Sequence, residues 1–559
     1  MSRGQAHACR LTQPATGETM KIKTLSQALA AVLGTFALAG ASPAAVIVGT
    51  GARPSSTQLG ATTAVGFKKE EGQPGHALLV PYFTAQNGQM TVLHLMNTDI
   101  DNGKVVKVRF RGANNGDSLL SVHVLMSPGD MWTAAVTANA DGTAQLTTGD
   151  RSCTLPRLAT GVPQRFSTDR LDPGWTPDVT AAHTREGAIE AIVMADIPQL
   201  RVYGADTASN SALFKAIKQV NGIAPCTVDD SAVNAALMSE ANSEAVAAGR
   251  GLAGPTGRLA ATWYIMDVLN STTFSGPATA IQAVDGAGDS ARGNYMLFPP
   301  TDSEVAQPER YTSDPLLVSA GLAFRDKDMP GNTSRPTTAP VLTARSNDFP
   351  DLSTPVYLPP TATNAATTAA DLSRLLTVAG FRNQVVLDAS ISARTDWVVA
   401  TPTKRYSVGK DYSQPDPADQ RVYSVVPPLR TTLQYFHSGN TEVGQSICSM
   451  HGTWDLWMAD REATVTARYN PNFPNEKYES CGAVSVFAFS DSYVLSSEVN
   501  RRRLSGGFRE GWAGLTTSDS NGIPIIGASF IKLTNPGVAP GVAGNYGLSF
   551  PHIRRLPVK

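Results

Sequence analysis

The chain of 559 residues exceeds the usual size of a single domain, so its length predicts two or three domains. Charged residues make up 17% of the sequence and the net charge is −1, which argues against binding to nucleic acid or to an anionic membrane surface through a general positive charge. Many Gly and Pro residues between short apolar runs indicate a mainly β fold with many turns.

A secretory signal peptide is predicted over residues 20–41. Lys21 and Lys23 form a short basic region, and the apolar run at 28–40 is too short to span a bilayer. Small residues at 39–41 fit a cleavage site. We therefore expect an exported protein of the periplasm, the cell surface or the extracellular space, and no later stretch has the length of a transmembrane segment in the mature chain.

Two segments flank the signal peptide. Residues 1–19 carry no apolar periodicity, and a signal peptide normally begins at its basic region, so we interpret them as a mis-called extension before a true start at Met20. Residues 42–74 are mostly small and polar, which predicts a flexible leader.

The first module is predicted at residues 75–298 and opens with a run of short strands at 75–137. Apolar and cationic side chains alternate over residues 106–111, which predicts a half-buried strand whose outer face carries Lys107, Arg109 and Arg111. The preceding Asn102-Gly103 pair predicts a tight hairpin turn that joins this strand to the strand QMTVLHLMNT. The later segment REGAIEAIVMADI is apolar on both faces, as in a central strand.

Helical patterns interrupt this module. The segment ALFKAIKQVNG, which ends at Gly222, predicts a short amphipathic helix, and residues 231–248 predict a second one. The G-x-G-x-x-G pattern at 249–254 follows that helix and runs into Pro255, whereas a dinucleotide site needs a strand before it and a helix after it. We interpret the pattern as a flexible turn and expect no cofactor.

A Pro-rich connection is predicted at residues 299–363, and a second β-rich module at residues 364–559. A helix at 364–379 opens the second module, and further strands follow it. The predicted fold class is therefore mainly β, with two β-sandwich-like modules and a few inserted short helices.

Four cysteines lie in the predicted mature chain, and an even number in an exported protein indicates disulfides. Three pairings are open. We favour Cys153 with Cys226 and Cys448 with Cys481, because each bridge then stays within its own half of the chain.

Candidate metal sites are weak in this sequence. Asp99 and Asp101 resemble half of a calcium loop, but Val108 stands where the bidentate Glu is needed, so a turn is the better interpretation. His94 and His123 could approach one another across a sheet, but a metal would need a third ligand from His76 or His183. We expect no metal site and no catalytic constellation.

One group of residues in the second module is a candidate for ligand binding. Trp454 and Trp457 could supply an aromatic surface for a sugar, and Asp460 and Glu462 lie close by in the sequence WDLWMADRE. Strand parity places the two tryptophans on opposite faces, so at least one is expected to pack in the core.

Several phrases carry a resemblance to a known family. They are LLVPYFTAQNGQMTVLHLMNTD, KVVKVRFRGANNGDSL, LMSPGDMWTAAV, TDWVVATPTKRY and IPIIGASFIKLTN. Together they resemble a family of exported proteobacterial proteins known as hypothetical or cell surface proteins, over most of the mature chain. The resemblance implies export and a surface or extracellular location, and it assigns no role to any residue.

We therefore expect an exported structural or adhesive protein without catalytic activity, which associates with itself or with cell-surface components. The alternative is a secreted carbohydrate-binding or carbohydrate-active protein. It would use Trp454 or Trp457 together with Asp460 or Glu462.

Overall fold

The alternating apolar patterns do form strands, and these assemble into several sheets. A computed structural model describes residues 46–199, 211–299, 323–325, 349–410, 412, 420–424, 435–436, 441–443, 446–449, 454–462, 465–466, 479–489, 494–504, 510–517, 522–539 and 542–556. All of them belong to one compact unit that runs from Pro43 to Lys559. The predicted extension, the signal peptide and most of the 299–363 connection lie outside the described residues.

The strands of the first half are β1 (Val46–Ile47), β2 (Gly66–Glu71), β3 (Ala77–Thr84), β4 (Gln89–Asn97), β5 (Asn102–Gly112), β6 (Ser118–Met126), β7 (Met131–Ala138), β8 (Ala144–Thr147), β9 (Cys153–Leu155), β10 (Gln164–Arg165), β11 (Glu186–Pro198), β12 (Leu259–Asp267), β13 (Thr272–Pro277), β14 (Thr279–Val284) and β15 (Tyr295–Met296). They form two large sheets. Sheet A has the order β10-β8-β7-β4-β12-β13, and sheet B has the order β2-β14-β3-β11-β5-β6-β9. Strand β11 lies at the centre of sheet B, as its apolar faces predicted.

The remaining strands are β16 (Ala323–Arg325), β17 (Thr377–Val378), β18 (Gly380–Val385), β19 (Arg394–Ala400), β20 (Val408–Lys410), β21 (Arg421–Ser424), β22 (Thr441–Val443), β23 (Ile447–Ser449), β24 (Trp454–Asp460), β25 (Val465–Thr466), β26 (Val484–Phe489), β27 (Arg501–Leu504), β28 (Gly511–Thr517), β29 (Ile523–Pro524), β30 (Ile526–Ala539), β31 (Val542–Pro551) and β32 (Ile553–Arg555). Sheet C has the order β27-β26-β19-β30-β31, and sheet D has the order β25-β24-β28-β18-β32. The smaller sheets are β16-β21-β20, β1-β15, β17-β29 and β22-β23.

The large sheets pack face to face in pairs. Leu93 and Leu95 of sheet A lie in the same buried cluster as Val106 and Val108 of sheet B. Sheet C contributes to this cluster through one face, whose Phe530 ring contacts Trp263 of sheet A. Its other face forms a second cluster with sheet D. The prediction of a mainly β fold with β-sandwich-like layers is confirmed, while the exact module boundaries stay a prediction.

Helices are few and short among the described residues. The α-helices are α1 (Pro177–Thr184), α2 (Ala212–Ile217), α3 (Ser231–Leu237), α4 (Glu244–Gly249) and α5 (Ala362–Leu376). Short 3-10 helices lie at Gln86–Gly88, Pro225–Thr227, Ala389–Ile391 and Lys404–Tyr406. The helix predicted at 231–248 is thus two helices, separated by the turn that contains Ser239. No helix in the described part of the chain combines the length and the apolar character needed to cross a bilayer.

The hairpin predicted at Asn102-Gly103 is wrong. Strand β4 belongs to sheet A and β5 to sheet B, so the intervening residues cross between the two sheets. The carboxylate of Asp99 organises this crossing, since it accepts hydrogen bonds from the backbone N–H groups of Asp101 at 2.9 Å and of Asn102 at 3.1 Å. Lys104 Nζ lies 3.3 Å from the same carboxylate. These donors give the Asp99 carboxylate its partners within the chain.

The cationic face predicted to be exposed on β5 is also wrong. Lys107, Arg109 and Arg111 are each between 1% and 6% exposed. Segments from far along the chain cover this face: the carbonyl of Phe349 accepts a hydrogen bond from Lys107, and Asp351 lies beside Arg111. An alternating pattern reports which side chains share a face but not what covers that face.

Two arginines and two acids form a buried ion cluster on this covered face. Arg111 lies 2.8 Å from Glu190, and Arg405 lies 2.6 Å from Asp351 and 3.4 Å from Glu190. Burial alone would raise the pKa of the Asp351 carboxyl, but the nearby guanidinium groups of Arg405 and Arg111 lower the pKa well below its usual range. The four charges balance, and they join strands β5 and β11 to segments of the second half of the chain.

The two predicted cysteine pairs are brought together. Cys153 on β9 pairs with Cys226, and Cys448 on β23 pairs with Cys481. The first bridge ties sheet B to a buried cluster that includes residues of α2, α3 and α4.

Candidate functional site

The outer face of sheet D carries the clearest exposed aromatic group near the predicted candidates. Strand alternation sends Leu456 and Met458 of β24 into the core, so Trp457 between them points outward. On the neighbouring β28, Ala513 and Leu515 are likewise buried, and Trp512 points outward with 39% of its surface exposed.

The register brings a third side chain to the same face. Gly514 of β28 pairs with Trp457 on one side and with Arg382 of β18 on the other. The Trp457 and Trp512 rings meet edge to face, with centroids 4.2 Å apart. The Arg382 guanidinium lies 5.2 Å from the Trp457 ring and 5.4 Å from the Trp512 ring. We call Trp457, Trp512 and Arg382 the indole platform.

Gly514 is the position that allows this arrangement. A Cβ atom there would lie 2.6 Å from atoms of the Trp457 indole, closer than real contacts allow. The ring therefore lies across the bare backbone of β28, where any larger residue would displace it.

Replacing Gly514 with Ala is expected to move the Trp457 indole and to change the near-ultraviolet circular dichroism and the tryptophan emission of the folded protein. Overpacking of this kind costs about 1–3 kcal/mol, so the fold should survive. The control is Gly66→Ala at the start of β2, where a Cβ meets nothing within 4 Å. An unchanged spectrum for Gly514→Ala would contradict the close approach of ring and backbone.

Buried aromatic and polar residues fix the sheet beneath the platform. Asn383 alternates with Arg382 on β18 and donates a hydrogen bond of 2.9 Å to the carbonyl of Phe550. It also lies 3.1 Å from Nδ1 of the buried His552, whose Nε2 lies 2.9 Å from the carbonyl of Val398. The His552 ring lies 4.4 Å from the Phe381 ring. This layer holds β18 against sheet C.

Burial lowers the pKa of His552 to about 3, so the native state keeps this ring neutral. The unfolded chain binds the proton near pH 6.5, so the stability that depends on neutral His552 is lost as the pH falls from about 6.5 towards 3. We therefore expect the cost of His552→Gln to shrink by about 2–3 kcal/mol between pH 7.5 and pH 4.5. Urea denaturation of both proteins at the two pH values measures this, and a cost independent of pH would contradict the neutral ring.

Asp460 and Glu462, the predicted carboxylate candidates, do not lie on the platform. Trp454 begins strand β24, and its side chain lies outside the described residues. Asp460 ends the same strand with the parity opposite to that of Trp457, so it belongs to the other face. Glu462 follows in an exposed turn, and the neighbouring Arg461 forms an ion pair with Glu510 at 2.6 Å. Of the four ligand candidates, only Trp457 is placed on the indole platform.

The histidines considered as metal ligands are separated. His94 lies on sheet A, where Nδ1 is 3.1 Å from the Thr133 hydroxyl, while His123 is buried on sheet B. Nδ1 of His76 accepts a hydrogen bond from the backbone of Ala283, and His183 lies on α1. Within the described residues, only Cys448, Glu479 and Cys481 bring suitable ligand atoms together, and the two sulfurs are paired with each other.

Sequence reasoning missed Arg382 and Gly514. Both belong to strands with an alternating pattern, but their approach to Trp457 depends on the pairing of β18, β28 and β24, which are separated by many residues. Alternation of Arg382 with buried Phe381 and Asn383 was the available signal that it points outward.

Comparison with known proteins adds no assignment: no protein-family model, no curated protein and no solved structure matches this chain.

Proposed function

We propose that this chain is an exported structural or adhesive protein of the cell surface or the extracellular space, and that its adhesive contact is with carbohydrate, bound at the indole platform. The observation that carries the proposal is the pair of outward-facing tryptophans with Arg382 across both rings. The predicted signal peptide and the resemblance to exported proteobacterial proteins support the location. The two disulfides support it too, because such bonds persist in oxidising compartments.

The chemistry of the platform favours a sugar. The apolar C–H face of a pyranose ring can stack on an exposed indole, and Trp512 offers such a surface. Arg382 presents N–H donors beside the rings, and a guanidinium binds a carboxylate through two parallel hydrogen bonds. We therefore propose glycans that carry acidic sugars as the preferred ligands.

Binding is favoured over hydrolysis by the position of the carboxylates. A glycosidase needs two carboxyl groups about 5–9 Å apart around one bond. Asp460 has the opposite strand parity from Trp457, and Glu462 lies beyond the strand end, so these two carboxylates, which the carbohydrate-active alternative would use, do not form a pair at the platform.

A glycan array probed with the mature protein tests the proposal. We expect binding to acidic glycans, and a loss of about 30-fold or more in affinity for Trp512→Ala, which removes the exposed stacking surface. The matched control is Tyr546→Ala, an exposed aromatic residue on sheet C. A blank array, or equal binding by the two variants, would overturn the proposal.

The location is tested separately. Fractionation of the producing cells should recover the protein from the cell surface or the medium, and a cytoplasmic pool alone would contradict export. The Trp512→Ala variant should be exported normally but retained less on surfaces that carry the bound glycan.

A further inference from the structure

We propose that the outer face of sheet A is the surface on which a second copy of this chain docks. The inference goes beyond carbohydrate binding and does not rest on it, because sheet A and the indole platform on sheet D are different surfaces. It is carried by the side chains that five neighbouring strands, β8, β7, β4, β12 and β13, send outward.

The register defines this face row by row. His94 pairs with Thr133 on one side and with Thr262 on the other, and Val92 pairs with Ala135 and Tyr264. The opposite faces of the same strands are buried in the first core, so these positions are the outward ones. The outward set comprises Met90, Val92, His94, Met96, Met131, Thr133, Ala135, Thr137, Gln145, Thr147, Ala260, Thr262, Tyr264, Met266, Thr273 and Ser275.

Within these described strands, none of the outward positions is Asp, Glu, Lys or Arg. Met131 is 50% exposed, and Tyr264 and Met266 are each 36% exposed. The turn between β12 and β13 adds Leu269, which is 80% exposed. Surfaces that exclude charge and are rich in Met and aromatic residues are typical of the centres of protein interfaces.

Other exposed strands that the structure describes do carry charge. The exposed strand β2 of sheet B carries two ion pairs, Lys68 with Glu70 and Lys69 with Glu71. Strand β27 of sheet C has the sequence Arg-Arg-Arg-Leu. Charged side chains on exposed strands discourage unwanted contacts. On sheet A such a charge lies at the edge, where β10 brings Arg165 opposite Gln145, and not on the five strands β8, β7, β4, β12 and β13.

The dimensions suit a dimer. The strands β8, β7, β4, β12 and β13 have four, eight, nine, nine and six residues, so at about 3.4 Å per residue and about 4.8 Å between strands the flat face covers roughly 600 Å². This area is about three quarters of the ~800 Å² that each partner buries in a standard interface.

The uncharged character of this face indicates that its partner is a second copy of the chain. A strongly charged partner would lose its hydration against this face without gaining a counter-charge. An uncharged face that carries both hydroxyl and apolar groups is complementary to itself, and every molecule of this chain brings one. Two copies related by a two-fold axis would pack sheet A on sheet A, about 10 Å apart.

Sedimentation equilibrium of the full mature chain from about 1 µM to about 100 µM tests this directly. We expect a reversible dimer for the wild type, and for Val92→Arg a dissociation constant raised at least about 100-fold, because a charge would be buried without a partner. The matched control is Val538→Arg, the same change at an exposed position of β30, which should dimerise like the wild type.

Hydrogen exchange of the wild type is a second test of the docking face, and it does not require the Val92→Arg variant to fold. The amides of β4, β7 and β12 lie within an intact sheet, so the expected result is slower exchange of these strands at high concentration than at low concentration. A wild type that stays monomeric at about 100 µM would overturn the proposal. A dimer that Val92→Arg leaves intact would also overturn it, because the contact would then lie on another face. Concentration-dependent protection confined to other strands would overturn it for the same reason.

Discussion

Replacing Asp351 with Asn is expected to lower the free energy of unfolding by about 3–5 kcal/mol. The Asn side chain has nearly the same shape and can still accept the hydrogen bonds that Ser353 donates to Oδ1 of Asp351, at 2.8 Å from its backbone and 2.6 Å from its hydroxyl. What changes is the charge: Arg405 and Arg111 would lose the negative charge of Asp351 and keep that of Glu190. An ion pair broken on one side leaves an uncompensated buried charge, which is costlier than the absence of the pair.

The same carboxylate gives this prediction a pH dependence. The arginines lower its pKa in the folded state, so its contribution is present above the unfolded pKa of about 3.9 and is lost as the pH falls below that value. Urea denaturation at neutral pH measures the loss for Asp351→Asn. Glu70→Gln, in the exposed pair with Lys68, is the control, and it should change stability little. If Asp351→Asn and Glu70→Gln lower the free energy of unfolding by the same small amount, the buried ion cluster does not stabilise the contact between the first and second halves of the chain.

Trp397→Ala is expected to destabilise the protein by about 3–5 kcal/mol. Trp397 is fully buried between sheets C and D, its ring lies 4.9 Å from that of Phe489, and its Nε1 donates a hydrogen bond of 3.2 Å to the carbonyl of Gln384. Removing the indole leaves a cavity in the second core and leaves the Gln384 carbonyl without this donor.

Trp512→Ala is the matched comparison, because it deletes the same side chain from the exposed face of sheet D. Its cost in stability should be a small fraction of that for Trp397→Ala, whereas its effect on glycan binding should be the larger one. Thermal and urea unfolding of the two variants distinguish these roles. Equal destabilisation would mean that Trp512 acts as a core residue and would remove the basis for the platform.

Local sequence predicted the strands well where one face is apolar. The alternation at 106–111 gave strand β5, and the doubly apolar run gave the central strand β11. The same alternation failed to predict what covers the cationic face, because Asp351 and Arg405 come from more than two hundred residues away. It also failed to predict which sheet each strand joins, so β4 and β5 were paired as a hairpin although they belong to opposite layers.

Only part of the candidate site could be predicted, because local sequence does not specify which strands pair. Residue type makes both Trp454 and Trp457 candidates, and strand parity predicts only that at least one of them packs in the core. Asp460 and Glu462 are candidates because they lie close by in the same sequence. Residues that are close in sequence can lie on opposite faces of a strand, and alternation places Asp460 on the face opposite to Trp457. Arg382 and Trp512 reach Trp457 only through the register of β18, β28 and β24, and nothing local to any one strand specifies that register.

The central claim, that the indole platform binds carbohydrate, is tested most directly by isothermal titration calorimetry. The acidic oligosaccharide that binds best on the array would be titrated into the wild type, the double variant Trp457→Ala/Trp512→Ala and Arg382→Gln. We expect saturable binding by the wild type, no measurable binding by the double variant, and for Arg382→Gln a loss of the preference for acidic over neutral sugars. Wild-type affinity retained by a correctly folded double variant would contradict the account.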